Sequence, residues 1–376
     1  MKIMVSRQEC QQKLADIQSV VEKKSTMPVL SHFLLVAGKN GSSITATDLE
    51  TAIREPLAAE ADSEGKLCIP ARKLFEIVRE IEGDITIESE DSQWIRVKAG
   101  QTSFRLACLP SEDYPAWPDL GEAEQVEVPA SILSEMIDKS VYAAGESDTR
   151  YTLNGILFHI IPAEMKLTLV GTDGHRMAVI SKSVEGVKGE EKKLIVQRKA
   201  AAELRKFLPS EGTVKLFLGK NHILFSVGGM EFLTRLIEGA YPNYAQVIPA
   251  SSDKKAIIDR EQFAKALRRV SIMSRERSNA VRLDAEKGIL TLSSSNPDLG
   301  EARDEVAAQY DGDSVTIGFN AKYIIDALGA MESFTGGGGE ETKGKIVFEF
   351  QDALSPTLLK PMGGDDYRCV VMPMRI

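Results

Sequence analysis

Thr172-Asp173-Gly174-His175-Arg176 sets a carboxylate, an imidazole and a guanidinium within one short segment. Asp173 and His175 are of the types that serve as a general base and its orienting partner, or as metal ligands. The rest of the chain completes neither arrangement. The four histidines, His32, His159, His175 and His222, show no ligand spacing. A matching turn, Thr47-Asp48-Leu49-Glu50, has Leu49-Glu50 where Gly174-His175 stand. Chemistry carried by a repeated turn would need its residues repeated, so the segment reads as a turn or a binding surface. Gly339-Glu340-Glu341-Thr342-Lys343-Gly344-Lys345-Ile346 approaches a phosphate-binding loop. It lacks the Ser/Thr that holds Mg²⁺, and Gly336 to Gly339 precede it where a strand is required, so a loop tip is expected. With no G-x-G-x-x-G, G-x-S-x-G or H-E-x-x-H, the expectation is a non-enzyme with no cofactor and no metal.

The elements that must position these residues recur three times, about 125 residues apart. Each repeat opens with an amphipathic helix: 6–21, with Cys10, Leu14, Ile17 and Val21 on one face; 130–143, with Ile132, Leu133, Met136, Ile137 and Val141; and 259–273, with Phe263, Leu267, Val270 and Met273. Ser6 with Glu9 and Asp259 with Gln262 predict capping boxes. A strand and turn follow at 43–48, 167–173 and 289–296, and then a strand runs into a second helix over 67–81, 194–208 and 315–331. Further strands are expected at 85–88, 214–217 and 346–349, and at 104–109 and 232–237. Tyr114-Pro115 and Tyr241-Pro242 close the first two repeats, 127 residues apart. The expected fold is therefore α+β, in three domains near 1–121, 126–248 and 250–376, each packing two helices on antiparallel sheet.

The 376 residues exceed one ordinary domain, and the net charge of −9 argues against a chain that grips nucleic acid by overall attraction. The charge is uneven. Residues 198–207 carry four bases against one acid, and 260–277 carry six against two. Residues 80–91 carry six acids and no base. Basic excess on helices and acidic excess on loops suit light, sequence-blind contact with a phosphate backbone. Cys10, Cys68, Cys108 and Cys369 are far apart and read as buried reduced thiols. No apolar run of the roughly 18 residues needed for a membrane span is present, and none follows Lys2 as a signal peptide would require, so a cytoplasmic protein is expected. The last residues, Val370-Val371-Met372-Pro373-Met374-Arg375-Ile376, are apolar almost to the end. They fit either a core strand or the lining of a groove, since methionines suit adaptable surfaces. Taken alone, the residues leave open a DNA-encircling clamp, a DNA-processing enzyme and a peptide-binding hub without a ring.

The motifs Thr47-Asp48-Leu49-Glu50, Pro70-Ala71-Arg72-Lys73, Tyr151-Thr152-Leu153-Asn154-Gly155, Thr172-Asp173-Gly174-His175-Arg176, Tyr241-Pro242-Asn243-Tyr244, Gly318-Phe319-Asn320 and Val371-Met372-Pro373-Met374-Arg375, in that order, resemble the bacterial β sliding clamps end to end. The resemblance implies DNA-clamp domains with helices lining a ring, closed by a head-to-tail homodimer around duplex DNA. It implies a processivity factor that tethers the replicative polymerase and is itself non-catalytic. By position it also implies a groove for short partner peptides at Leu153, Thr172, Gly174, His175, Arg176, Met177, Pro242, Val247, Val371, Met372, Pro373, Met374 and Arg375, with Arg150 and Thr152 at the rim. The partners implied are polymerase subunits, clamp loader, ligase and mismatch-repair proteins. Thr152 departs from the tyrosine that relatives can carry. The dimer contact implied is Phe104 and Leu106 against Ile272 and Met273, with Lys73 facing Asp298, Glu301, Asp304 and Glu305. The DNA-facing positions implied are Lys24, Arg72, Tyr151, Arg198, Lys199 and Arg205; charge adds Arg275 and Arg277.

Overall fold

The computed structural model describes residues 1–21, 26–187, 189–249, 252–274, 279–332 and 341–375. Its six described α-helices fall in the expected pairs: α1 (Arg7–Ile17), α2 (Ala71–Glu80), α3 (Ala130–Asp138), α4 (Arg198–Phe207), α5 (Arg260–Ser271) and α6 (Ala321–Ala330). The start signals act as read. Ser6 Oγ accepts from the Glu9 N–H at 3.2 Å, and Asp259 Oδ1 accepts from the Gln262 N–H at 2.8 Å. The Ser6 box is not reciprocal, because the Glu9 carboxylate instead accepts from the Ala58 N–H. Asn320 caps α6 through the Lys322 N–H. α1 ends at Ile17 and α5 at Ser271, short of the expected 21 and 273. Buried faces follow the apolar spacing: Cys10, Leu14 and Ile17 on α1, and Phe263, Leu267 and Val270 on α5. Each such large side chain contributes about 2 kcal/mol by leaving water.

The packing divides into two compact units: Met1–Ala130 with Lys206–Leu236, and Ser131–Arg205 with Ile237–Ile376. The middle repeat thus contributes to both. In the first unit, a five-stranded sheet has Ala59–Ser63 at one edge and Thr102–Ala107 at the other, and an eight-stranded sheet runs from Glu124–Pro129 to Gly65–Pro70. In the second unit, one twelve-stranded sheet runs from Lys192–Gln197 to Val315–Asn320.

Continuity of the sheets across repeats explains this division. Thr51–Leu57 pairs antiparallel with Met230–Arg235, setting Ala52 opposite Leu233. Arg176–Ser183 pairs antiparallel with Tyr367–Val371, setting Met177 opposite Val370. The two junctions are built alike, since Ala52 and Met177 follow the same turn 125 residues apart. At the first, Ala52, Leu224 and Leu233 are covered by Trp117 and Leu120 from the chain after Tyr114, and the Arg54 guanidinium lies 4.0 Å from the Trp117 ring centre.

All four cysteines are buried and free. Burial pushes the thiols of Cys10, Cys68 and Cys108 up to about 12, and that of Cys369 to about 11. Among the described residues, no helix is long and apolar enough to cross a membrane.

α1 is tied to the sheet by a nearly buried ion pair, Lys13 Nζ to Glu55 Oε2 at 2.5 Å, while Glu55 Oε1 is buried without a partner. Burial raises the Glu55 carboxyl above its ordinary value, against the pull of Lys13. Lys13→Met leaves that charge alone and is expected to lower unfolding stability by about 3 kcal/mol near neutral pH. A raised carboxyl pKa favours the folded state as pH falls through it, so the deficit should shrink toward mildly acidic pH. Chemical denaturation of both chains across that range measures it.

Candidate functional site

The turn that looked enzyme-like is a hairpin connection joining Lys166–Thr172 to Arg176–Ser183. Thr172 Oγ1 donates to the Arg176 carbonyl at 2.6 Å and accepts from the Gly174 N–H at 3.0 Å. Asp173 Oδ1 accepts from the N–H groups of His175 and Arg176 at 2.9 and 3.0 Å, and Asp173 Oδ2 accepts from Arg176 Nε at 3.1 Å. The first repeat makes the same set: Thr47 Oγ1 to the Thr51 carbonyl, Leu49 N–H to Thr47 Oγ1, and Glu50 and Thr51 N–H to Asp48 Oδ1. The carboxylate is committed to folding the turn, which removes it as a base. His175 does not face it as a dyad partner; its ring stacks on Tyr323, centroids 6.4 Å apart. Among the described residues, no group of His, Cys, Asp or Glu could hold a metal.

Position 174 shows what distinguishes the two turns. Leu49 and Gly174 both take the left-handed backbone, at φ 72° and 83°. The leucine is half exposed. A Cβ at 174 would lie 2.5 Å from Arg150 Nη1, so glycine is required where the guanidinium packs. Arg150 in turn grips Asp148 with Nε at 2.9 Å and Nη2 at 2.8 Å, and donates to the Asp173 carbonyl. These bonds, and then the Arg150 backbone N–H, hold the Asp148 carboxyl at about 2.

Beside this turn lies an open cleft lined by Arg150, Leu153, Thr172, Gly174, Arg176, Met177, Tyr241, Pro242, Tyr244, Val247, Val370 and Met372. Its floor is the cross-strand pair Met177–Val370, packed with Leu157, Val179, Ile195 and Leu358. Met372 is fixed by its N–H to the His175 carbonyl at 2.9 Å. Arg176 is almost buried beneath, paired with Asp326 at 2.5 Å, donating to the Tyr142 carbonyl and lying 4.7 Å from the Tyr323 ring centre. Few polar groups converge and the floor is apolar, which suits an extended apolar ligand.

The structure brings most of the sequence-derived groove residues together, with differences of detail. Val371 is buried on the opposite face of its strand from Val370 and Met372. Residues i and i+2 share a face, and that alternation was the readable signal for Val370. Pro373, Met374 and Arg375 lie beyond the cleft lining, Met374 bonding the Gly318 carbonyl at 2.8 Å. Thr152 packs its methyl toward the Gly239 backbone. Tyr241 and Tyr244 line the cleft without having been singled out, although their motif was visible.

This chain matches, over nearly its whole length, models of the DNA polymerase III beta subunit: the N-terminal domain at residues 1–118, the central domain at 127–243 and the C-terminal domain at 245–375. The chain belongs to the DNA polymerase III beta subunit family. The beta sliding clamps of Caulobacter vibrioides and Pseudomonas putida are 36% and 34% identical to it, with each chain fully covered. A crystal structure of the Pseudomonas aeruginosa sliding clamp bound to griselimycin superposes with a TM-score of 0.92 at 33% identity, covering all of both chains. The C. crescentus beta sliding clamp, crystallised with polyethylene glycol at a proposed tethering region for the beta-motif, gives 0.92 at 36%, again over both full chains. Beta subunits of this family are non-catalytic, which agrees with the committed Asp173.

Of the positions with other implied roles in this chain, Arg72 and Lys199 are exposed on α2 and α4, and Tyr151 is 75% exposed. Arg198 is paired with Glu146 at 2.5 Å and Arg205 with Asp138 at 2.7 Å, and on α5 Arg269 is paired with Asp304. Much of the helical basic excess is thus met inside the chain. Lys24, Arg275, Arg277 and Gly336 to Gly339 lie outside the described residues. Phe104, half-buried, and Leu106, buried, sit on the edge strand Thr102–Ala107 of the first unit. In the second unit Ile272 is 75% exposed, the Met273 methyl lies against Gly300, Glu305 pairs with Arg303, and Asp298 and Glu301 are exposed. Lys73 pairs with Glu76 on its own helix.

Gly174→Ala is expected to push Arg150 off the turn and release Asp148. The Asp148 carboxyl should then titrate well above about 2, toward the ordinary value of about 3.9, as it should in Arg150→Ala. Carboxyl-carbon NMR titration reads this directly; an unchanged Asp148 would refute the packing argument.

Proposed function

We propose that this chain is a ring-forming sliding clamp that encircles duplex DNA and tethers the replicative polymerase through the cleft beside Met177 and Val370. The full-length match to all three beta-subunit domains is the observation that carries the reading. Two copies joined head to tail, through Phe104 and Leu106 on one and Ile272 and Met273 on the other, would close a ring of six domains. The domains run near 1–121, 126–248 and 250–376. Lys73 of one copy would face Asp298, Glu301, Asp304 and Glu305 of the next.

Topology replaces affinity in such a device. A closed ring leaves DNA only by opening, so a modest positive lining suffices, and a strong one would hinder sliding. The net charge of −9 and the internal pairing of Arg198 and Arg205 favour that light grip. Arg72, Lys199 and Tyr151, with Lys24, Arg275 and Arg277, are the positions we assign to the duplex. The cleft takes short peptides ending in apolar or aromatic residues. Polymerase subunits, clamp loader, ligase and mismatch-repair proteins in the cytoplasm are the partners of this chemistry.

The protein should remain on closed circular DNA and run off linear DNA of the same sequence; equal retention on both would overturn the clamp reading. Deleting residues 372–376 should abolish binding of a synthetic peptide ending in Leu-Phe while sedimentation still shows a dimer. Peptide binding that survives the deletion would remove the cleft assignment.

A further inference from the structure

We infer that His159, backed by Glu191, is a positioning residue that holds Tyr244 as one wall of the cleft and so tunes which peptide ends it accepts; this rests on the peptide-cleft reading above. Tyr244 opens a single helical turn, Tyr244–Gln246, whose neighbours Asn243, Ala245 and Gln246 are exposed. Such a turn contributes little of its own to orient a side chain. Its two tyrosines are anchored differently. The Tyr241 hydroxyl donates to the Val170 carbonyl at 3.0 Å, just as the Tyr114 hydroxyl donates to the Thr45 carbonyl in the first repeat. The Tyr244 hydroxyl instead meets a side chain, His159 Nδ1, at 2.8 Å.

His159 lies on the strand Gly155–Ile161 and is only 7% exposed. Its Nε2 is 2.7 Å from Glu191 Oε1, and Lys193 Nζ is 3.2 Å from the same oxygen. These bonds, His159 first, hold the Glu191 carboxyl below its ordinary value. An ionised carboxylate only accepts, so Nε2 carries the imidazole proton. In the neutral imidazole Nδ1 is then the acceptor, and the Tyr244 hydroxyl donates to it. The bonds run in one direction, from tyrosine to imidazole to carboxylate. With the hydroxyl committed to the sheet, the ring is what Tyr244 offers the cleft.

The first repeat supplies a contrast. Val36 pairs with Ser43 and Lys66 as His159 pairs with Thr168 and Lys193, and Trp117 stands 127 residues before Tyr244. Valine cannot accept a hydrogen bond, and there the aromatic ring packs on Ala52, Leu224 and Leu233, whereas Tyr244 both packs on the second junction and lines its cleft.

The test is a double-mutant cycle on the full-length protein, with affinity for a synthetic peptide ending in Leu-Phe as readout. H159F and Y244F should each weaken binding about fivefold, the worth of one buried neutral hydrogen bond. The double variant should bind no more weakly than either single. H159N, whose amide oxygen stands near the place of Nδ1, should recover most of the loss; a merely structural histidine would not be rescued this way. Additive losses, or no loss in either single variant while the unaltered protein binds, would overturn the inference and leave the cleft intact. If the unaltered protein binds no such peptide, the cleft reading fails first and the positioning role with it.

Discussion

Backbone pairing across repeat boundaries is the constraint on which the rest depends. A repeat with two helices and a few strands leaves an edge of unpaired N–H and C=O groups. Here that edge is satisfied by the next repeat: Thr51 to Arg54 by Glu231 to Thr234, and Arg176 to Ile180 by Tyr367 to Val371. The ladder fixes which side chains stand opposite each other, because a one-residue slip would turn each strand inside out. It therefore sets Val370 across from Met177 and brings Met372 beside His175, and the cleft is a by-product of the register.

The same ladder accounts for the most enzyme-like cluster. Arg176 begins the strand that meets the last strand of the chain, and its guanidinium, almost buried, needs every acceptor it finds. Asp173 serves it and the turn together. Arginine over Tyr323, with aspartates on both sides, is a structural fastener under the cleft, and the residue types alone do not separate that from a catalytic pair.

Much was legible because it is local. Helix starts follow from Ser6 and Asp259, and the hairpin at 172–176 follows from a Thr-Asp pair repeated from 47–48. What was not legible depends on distant pairing. The split of the middle repeat between two units arises from strands 177 residues apart or more, such as Arg54 and Glu231. The bond between His159 and Tyr244 joins residues 85 apart, neither in a recognisable motif as a pair. The basic helices were visible as composition, but their partners Glu146, Asp138 and Asp304 come from other elements, so the sequence overstated the free positive charge.

The Trp117 side chain lying on Ala52, Leu224 and Leu233 has a further meaning. Two junctions of like construction could have given the chain two docking places. The tryptophan packs over the first, while the second carries the open cleft beside Met177 and Val370. Under the clamp reading proposed above, proteins that carry the same kind of apolar end would take turns at that cleft, and the order in which they work would become a matter of relative affinity and local concentration.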